Sequence, residues 1–162
     1  MTSWKCSLQR AWWSGTAAGL LSAAALAVCG KVEGRTAAGP LNGPSQWVWG
    51  KAAARRRRTS VRHTLVGYLI HHVASLGWAV LHEKYVASRV TSSNALPHVL
   101  AGCTTAAFAC FADYQIARGR LQPGFEKQLS RRSLAVVYGA FGLGLAFQCC
   151  WRARRSPQSP GG

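Results

Sequence analysis

Apolar residues in this 162-residue chain fall into four blocks, and most of the arginines lie between them. The blocks cover about residues 11–30, 62–83, 97–114 and 133–151. At a rise of about 1.5 Å per residue, each is long enough to cross most or all of a hydrocarbon core about 30 Å thick. The first and last blocks also lack the polar face that a soluble bundle needs. The pattern therefore predicts an all-α integral membrane bundle of four transmembrane helices, forming a single domain over residues 1–151.

The second block carries a polar stripe within its apolar surface. Tyr68, His71, His72 and Ser75 fall within one arc of a helical wheel. Lipid cannot satisfy imidazole or hydroxyl groups, so we expect the stripe to face other helices or an internal water pocket. Two interpretations stay open: the stripe packs against helices or a partner, or it binds or conducts protons, ions or metals, with the protein acting as an oligomer.

A metal site is the sharpest candidate for bound chemistry. His82 and Glu83 end the second block and His98 begins the third, and the short connection between these blocks favours antiparallel neighbours. Two imidazoles and one carboxylate suit a divalent cation such as zinc. Interfacial packing of polar residues explains the same pattern. No other cofactor is predicted, since the first and last blocks contain no histidine with which to complete a bis-histidine haem site.

Small residues recur along one face of the first and last blocks. Because small side chains let helix backbones approach closely in membranes, these faces are predicted to be helix contacts. They comprise Gly15, Ala18, Gly19, Ser22 and Ala25 in the first block, with Leu26 on the same face, and Ala135, Gly139, Gly142 and Ala146 in the last.

The connection between the first two blocks contains a second kind of membrane feature. Glycines and prolines interrupt it, and Trp47, Val48 and Trp49 form a short apolar run. We therefore predict a short segment that lies in the membrane interface. The consecutive arginines Arg55, Arg56, Arg57 and Arg58 follow it and are predicted to bind anionic lipid headgroups.

Charge indicates the orientation of the chain in its membrane. The net charge is +16, and 13 of the 20 Lys and Arg residues lie in the two connections at residues 31–62 and 115–132. Positive connections stay in the cytoplasm, so both termini are predicted to be periplasmic. The remaining basic tail, residues 152–162, is predicted to be disordered. Nucleic acid is not predicted as a partner because no basic stretch has a binding motif with the required spacing.

The first block has an alternative interpretation as a cleaved signal peptide. Leu26-Ala27-Val28-Cys29 is similar to a lipoprotein cleavage site, although Val28 is a poor residue before the cut. Cleavage would also place the arginine run outside, against the usual charge rule. A retained first helix is therefore the prediction.

Motifs for catalysis are missing from the sequence. It contains no glycine-rich phosphate loop, no H-E-x-x-H and no G-x-S-x-G motif. Ser75 lies near the stripe histidines but lacks an orienting acid at its depth. The sequence therefore predicts a non-enzymatic membrane protein that has the lipid bilayer as its main partner. Association with a second copy or with another membrane protein remains open.

Several short motifs support this membrane assignment. They are Pro40-Leu41-Asn42, Ser45-Gln46-Trp47, Trp49-Gly50, His71-His72, Trp78-Ala79, Glu83, Pro123-Gly124-Phe125-Glu126 and Leu129-Ser130. Over most of residues 10–150 the chain resembles a group of small, uncharacterised inner-membrane proteins of proteobacteria. The resemblance implies a bacterial inner (plasma) membrane location with several membrane crossings, and it implies no activity.

Overall fold

The computed structural model describes residues 3–92 and 94–155, and this part of the chain is helical with no strand. Four long helices, numbered α1 to α4 in chain order, span Trp4–Val32, Val61–Arg89, Ala95–Ile116 and Arg131–Arg155. Within α2, π-helical turns at Val61–Leu65 and His82–Val86 flank the α-helical part Val66–Leu81. The all-α prediction is confirmed, and each apolar block lies inside one long helix.

Three of these helices, α1, α2 and α3, are long and apolar enough to cross a membrane. Every helix extends beyond the predicted block, because its polar ends are also helical. The Ser60 hydroxyl accepts a hydrogen bond from the His63 backbone N–H at 3.1 Å and so caps the start of α2. Helix α1 ends where Gly34 adopts a left-handed backbone with φ of 68°.

The predicted tail at residues 152–162 begins too early. Helix α4 continues through Arg155, whereas residues 156–162 lie outside the described part of the chain. Arginine and alanine favour helix, and the first helix-breaking residue after Trp151 is Pro157.

Helix α1 lies at the centre of the bundle. It packs along both α2 and α4, and α4 packs along α3 on its other side. The main contact of α3 with α2 is restricted to the end of α2, around residues 82–89. The prediction that α2 and α3 are antiparallel neighbours therefore holds only at this end, because elsewhere α2 packs on α1 and α3 packs on α4. A cleft remains between α2 and α3 where they do not touch, and we call this the open side of the bundle.

Small residues are buried between the helices, and large apolar residues face outward. On the predicted contact face of α1, Gly15, Ala18, Gly19, Ser22 and Leu26 are buried and Ala25 is half-buried. By contrast, large side chains such as Trp13, Val73, Phe108 and Phe147 are 58–67% exposed. An apolar outer surface around a core of small residues is the pattern expected in lipid.

The contact face of α4 differs from its prediction. Gly142 and Ala146 are buried as expected, but Gly139 is only half-buried and Ala135 is exposed. Because α4 packs against two helices, its buried surface is broad and also includes Gly144, Phe141 and Leu145.

The two long connections fold together into a compact cap at one end of the bundle. Its short helical turns are Ala38–Asn42, Gly43–Ser45, Gln46–Trp49, Ala53–Arg55, Gly119–Leu121 and Phe125–Lys127. The Gln46 side-chain amide donates to the Gln122 carbonyl at 2.5 Å, and the Gln128 amide donates to the Ala54 carbonyl at 2.9 Å. Long-range hydrogen bonds therefore replace the separate loops that the glycines and prolines suggest.

Asn42 holds the first connection against the start of α2. It is completely buried, and its amide donates to the carbonyls of Arg56 at 2.8 Å and Arg58 at 3.1 Å. The Thr64 hydroxyl donates to the side-chain oxygen of Asn42, Oδ1, at 2.7 Å. The buried Asn42 side chain thus holds two backbone carbonyls and one hydroxyl group in place.

Glu33 joins the end of α1 to the beginning of α4. Its carboxylate accepts hydrogen bonds from the Ser130 backbone N–H at 3.0 Å and the Ser130 hydroxyl at 2.6 Å, and also from the Ser133 hydroxyl. The Ser130 and Ser133 hydroxyls together hold the pKa of the Glu33 carboxyl below its ordinary value. A negative charge at this position also complements the positive end of the α4 helix dipole.

Candidate functional site

The polar stripe of α2 faces α1. His71 Nε2 is 2.9 Å from the hydroxyl of Ser22 on α1, and the Ser75 hydroxyl donates to the His71 carbonyl at 2.8 Å. The His72 ring lies against Gly19, where an added Cβ would be 2.9 Å from His72 Nδ1. A residue larger than glycine there would make the imidazole shift. The small face of α1 and the polar stripe of α2 are therefore complementary surfaces.

Tyr68 completes the stripe by packing on His72. The two rings are 5.7 Å apart and nearly parallel, with an interplanar angle of 29°. His72 Nδ1 is buried and has no hydrogen-bond partner. The structure thus brings all four predicted stripe residues to one side of α2, and His71 is the member that is hydrogen-bonded to another helix.

A cavity of about 440 Å³ adjoins the stripe on the open side of the bundle. Most of its lining is apolar, and all four helices contribute to it. The lining includes His71, Ser75, Trp78, Asp113, Tyr138 and Phe141. Its size falls within the range of small-molecule sites in proteins, and few polar groups converge on it, which is typical of such sites.

Asp113 and Tyr138 form a polar pair that the sequence did not predict. The Tyr138 hydroxyl donates to Asp113 Oδ2 at 2.6 Å and so links α3 to α4 beside the cavity. Each residue falls near a contact face in its own sequence block, but the pairing depends on the relative register of two helices. Hydrophobic periodicity carries no information on that register.

The three residues of the predicted metal site do not form one group. His82 Nδ1 is 2.9 Å from the Thr105 hydroxyl, and His98 Nε2 is 2.9 Å from the Ser92 carbonyl. Glu83 is buried beside His82. Among residues 3–92 and 94–155, no three His, Cys, Asp or Glu side chains are placed to hold a metal ion. The imidazoles are used instead in hydrogen bonds near the ends of α2 and α3.

The arginine run lies on the surface of the cap. Arg55, Arg56, Arg57 and Arg58 are all exposed, and the Thr36 hydroxyl donates to the Arg57 carbonyl. Thr36 thus holds the Arg57 carbonyl, and Asn42 holds the carbonyls of Arg56 and Arg58. The backbone of the run is fixed in this way, while its guanidinium groups are accessible. Their binding to lipid headgroups remains a prediction.

Comparison of the chain with protein-family models, with curated proteins and with solved structures finds no match. Inferences about function therefore depend on the geometry of the chain itself.

Proposed function

We propose that this chain is a non-catalytic, multi-pass protein of the bacterial inner membrane, in which all four long helices cross the bilayer. The outward-facing large apolar side chains are the observation that carries this proposal. They occur on α4 as well as on the other three helices: Val136, Leu143 and Phe147 are 52–58% exposed. Leaving so much apolar surface in water would be unfavourable, and lipid removes that cost.

The cap is proposed to face the cytoplasm, with the segment Gln46–Trp49 lying in the membrane interface. Supporting this, the cap brings both basic connections to one end of the bundle, where anionic lipids attract them. Trp47, Val48 and Trp49 are 40–49% exposed on the cap surface, and tryptophan favours the headgroup region.

Reporter insertions in the full chain test this topology. A reporter inserted after Lys51 should be active only in the cytoplasm, and one fused after Gly162 only in the periplasm. An insertion at Asn94, in the turn between α2 and α3, serves as a second periplasmic point. The same compartment for Lys51 and Asn94 would contradict the proposed crossings, as would recovery of the protein in the supernatant without detergent.

Within this protein, the stripe on α2 is proposed to hold helices together. The His71 to Ser22 contact supports this role, because both groups find a protein partner away from lipid. A hydrogen bond between membrane helices contributes about 0.6–2 kcal/mol. The stripe and the small face of α1 together specify how α1 and α2 fit, and the exposed sides of the bundle remain available to a partner or a second copy.

A second candidate function is transport of protons or other ions through the stripe. It is favoured by one observation: His71 and Ser75 line the same cavity as Asp113 and Tyr138. Groups that exchange protons therefore lie around one space inside the bundle.

Substituting the histidines separates these two functions. We expect H71L and H72L to insert normally and, for H71L, to lose about 1 kcal/mol of stability from the Ser22 hydrogen bond. Proton flux should be absent from proteoliposomes of the parent and of both variants. The variant L69A, on the exposed face of α2, controls for general effects of substitution. Flux in the parent that H71L removes without unfolding would favour transport over packing.

A further inference from the structure

A second, smaller pocket lies within the cap, away from the stripe and its cavity. Its volume is about 290 Å³, which suits a small anion or a lipid headgroup better than a drug-sized molecule. It is lined by Gln46, Lys51, Arg55, Gly119, Gln122 and Lys127. Both connections contribute to it, so the pocket exists only because the two connections fold together.

Three cationic side chains line this pocket, and they come from two separate segments. Lys51 precedes the turn Ala53–Arg55, Arg55 ends it, and Lys127 comes from the other connection. None of the lining residues is acidic. Lys127 Nζ is 3.2 Å from Glu126 Oε1, so one carboxylate offsets one of the three positive charges. The remaining positive charge makes the pocket a site for an anion.

Hydrogen bonds around Gln46 hold one wall of the pocket in place. Gln46 is 1% exposed, and its amide is committed to the Gln122 carbonyl. The Arg120 guanidinium also donates to the carbonyls of Trp47 at 3.3 Å and Val48 at 3.1 Å. A pocket whose wall is already ordered loses little entropy when it takes a ligand.

We propose that this pocket binds the phosphate-ester headgroup of an anionic phospholipid from the cytoplasmic leaflet. The exposed run Trp47, Val48 and Trp49 follows Gln46 directly, so the pocket adjoins the apolar edge of the cap. At a membrane interface this edge reaches the headgroup layer, and a lipid phosphate is then within reach of Lys51, Arg55 and Lys127. The inference rests on the proposed membrane location, and it distinguishes Arg55 from Arg57 and Arg58, which do not line the pocket.

Native mass spectrometry of the purified full chain, after removal of its lipids, tests the proposal. Phosphatidylglycerol and phosphatidylcholine are added back in equal amounts. The parent should retain one phosphatidylglycerol per chain in preference to phosphatidylcholine. The double variant R55Q/K127Q should weaken this retention by at least about tenfold, since two cations are lost near the headgroup. The single variant K51Q should weaken it less.

A matched variant controls for net charge. R57Q/R118Q also removes one charge from each connection, but neither residue lines the pocket. It should retain phosphatidylglycerol within about twofold of the parent, because charge on the cap surface outside the pocket contributes little in salt. An equal loss in both double variants would show diffuse attraction and overturn the proposal. Equal retention of the two lipids would also overturn it.

Competition with soluble phosphates tests whether the pocket binds a lipid headgroup or a free phosphate compound. Glycerol 3-phosphate and inorganic phosphate should compete with phosphatidylglycerol only at millimolar concentrations. Displacement at micromolar concentrations would assign the pocket to a soluble anion instead. A protein that fractionates with membranes but retains no phosphatidylglycerol would refute this site and leave the proposed membrane function intact. A protein found in the supernatant would refute the membrane function itself.

Discussion

We expect G144A to be among the most destabilising single substitutions in this protein. An added Cβ at Gly144 would lie 2.6 Å from the Ala18 backbone nitrogen and closer still to Ala18 Cα. Because these are backbone atoms of α1, no side-chain rotation can relieve the clash, and α1 and α4 must move apart. Overpacking of a close contact costs about 1–3 kcal/mol, and a rigid backbone places G144A at the upper end of that range.

Gly139, one helical turn and a half earlier on α4, is the matched control. A Cβ added there meets no atom within 4 Å. Alanine is a better helix former than glycine by about 1 kcal/mol, so G139A should be neutral or slightly stabilising. Thermal unfolding in detergent, followed by tryptophan fluorescence, compares the two variants. Equal melting temperatures for G144A and G139A would show that α1 and α4 are not in close contact.

We expect N42A to release the first connection from the bundle. The substitution removes the amide that fixes Arg56 and Arg58 and leaves the Thr64 hydroxyl without its acceptor. Each lost hydrogen bond contributes about 1 kcal/mol, and buried groups left unpaired add a further cost. We therefore expect the free energy of opening this connection to fall by about 2–3 kcal/mol. Because trypsin cleaves after arginine, the exposed run Arg55 to Arg58 reports this opening directly.

Limited proteolysis in detergent measures the effect of N42A. Cleavage in the arginine run should accelerate by about tenfold or more relative to the parent, since proteolysis follows the population of the opened state. N94A provides the control. Asn94 is exposed at the start of α3, and its side chain makes no capping hydrogen bond. Unchanged cleavage in N42A would mean that Asn42 does not hold the connection.

The long helices could be predicted because each depends on a local property. A run of apolar residues with polar ends specifies a helix of bilayer length wherever its neighbours lie. The buried face of α1 was also predictable, since Gly15, Gly19 and Ser22 recur at helical spacing. The stripe on α2 followed from the same periodicity, and it faces a helix as expected.

The cap and the order of the helices could not be predicted in the same way. Gln46 and Gln122 are 76 residues apart, and Gln128 lies 74 residues from Ala54. Glycine and proline in both connections indicated turns, but turn chemistry does not specify which turns meet. The short link between α2 and α3 favoured adjacency, yet the packing of α1 against α4 separates them. The cleft follows from that separation, whereas the two imidazoles of the predicted metal site lie where α2 and α3 meet and form hydrogen bonds with Thr105 and Ser92.

The central place of α1 has a consequence for biogenesis. Helix α1 is synthesised before all the helices it packs on, and α4, one of its two main neighbours, follows about 100 residues later in the chain. Until α4 has been synthesised, the face of α1 that contains Ala18 lacks its partner helix. The packing of α1 is therefore completed only after α4 has followed it, and a chain truncated before residue 131 should leave this face of α1 uncovered and be degraded faster than the parent.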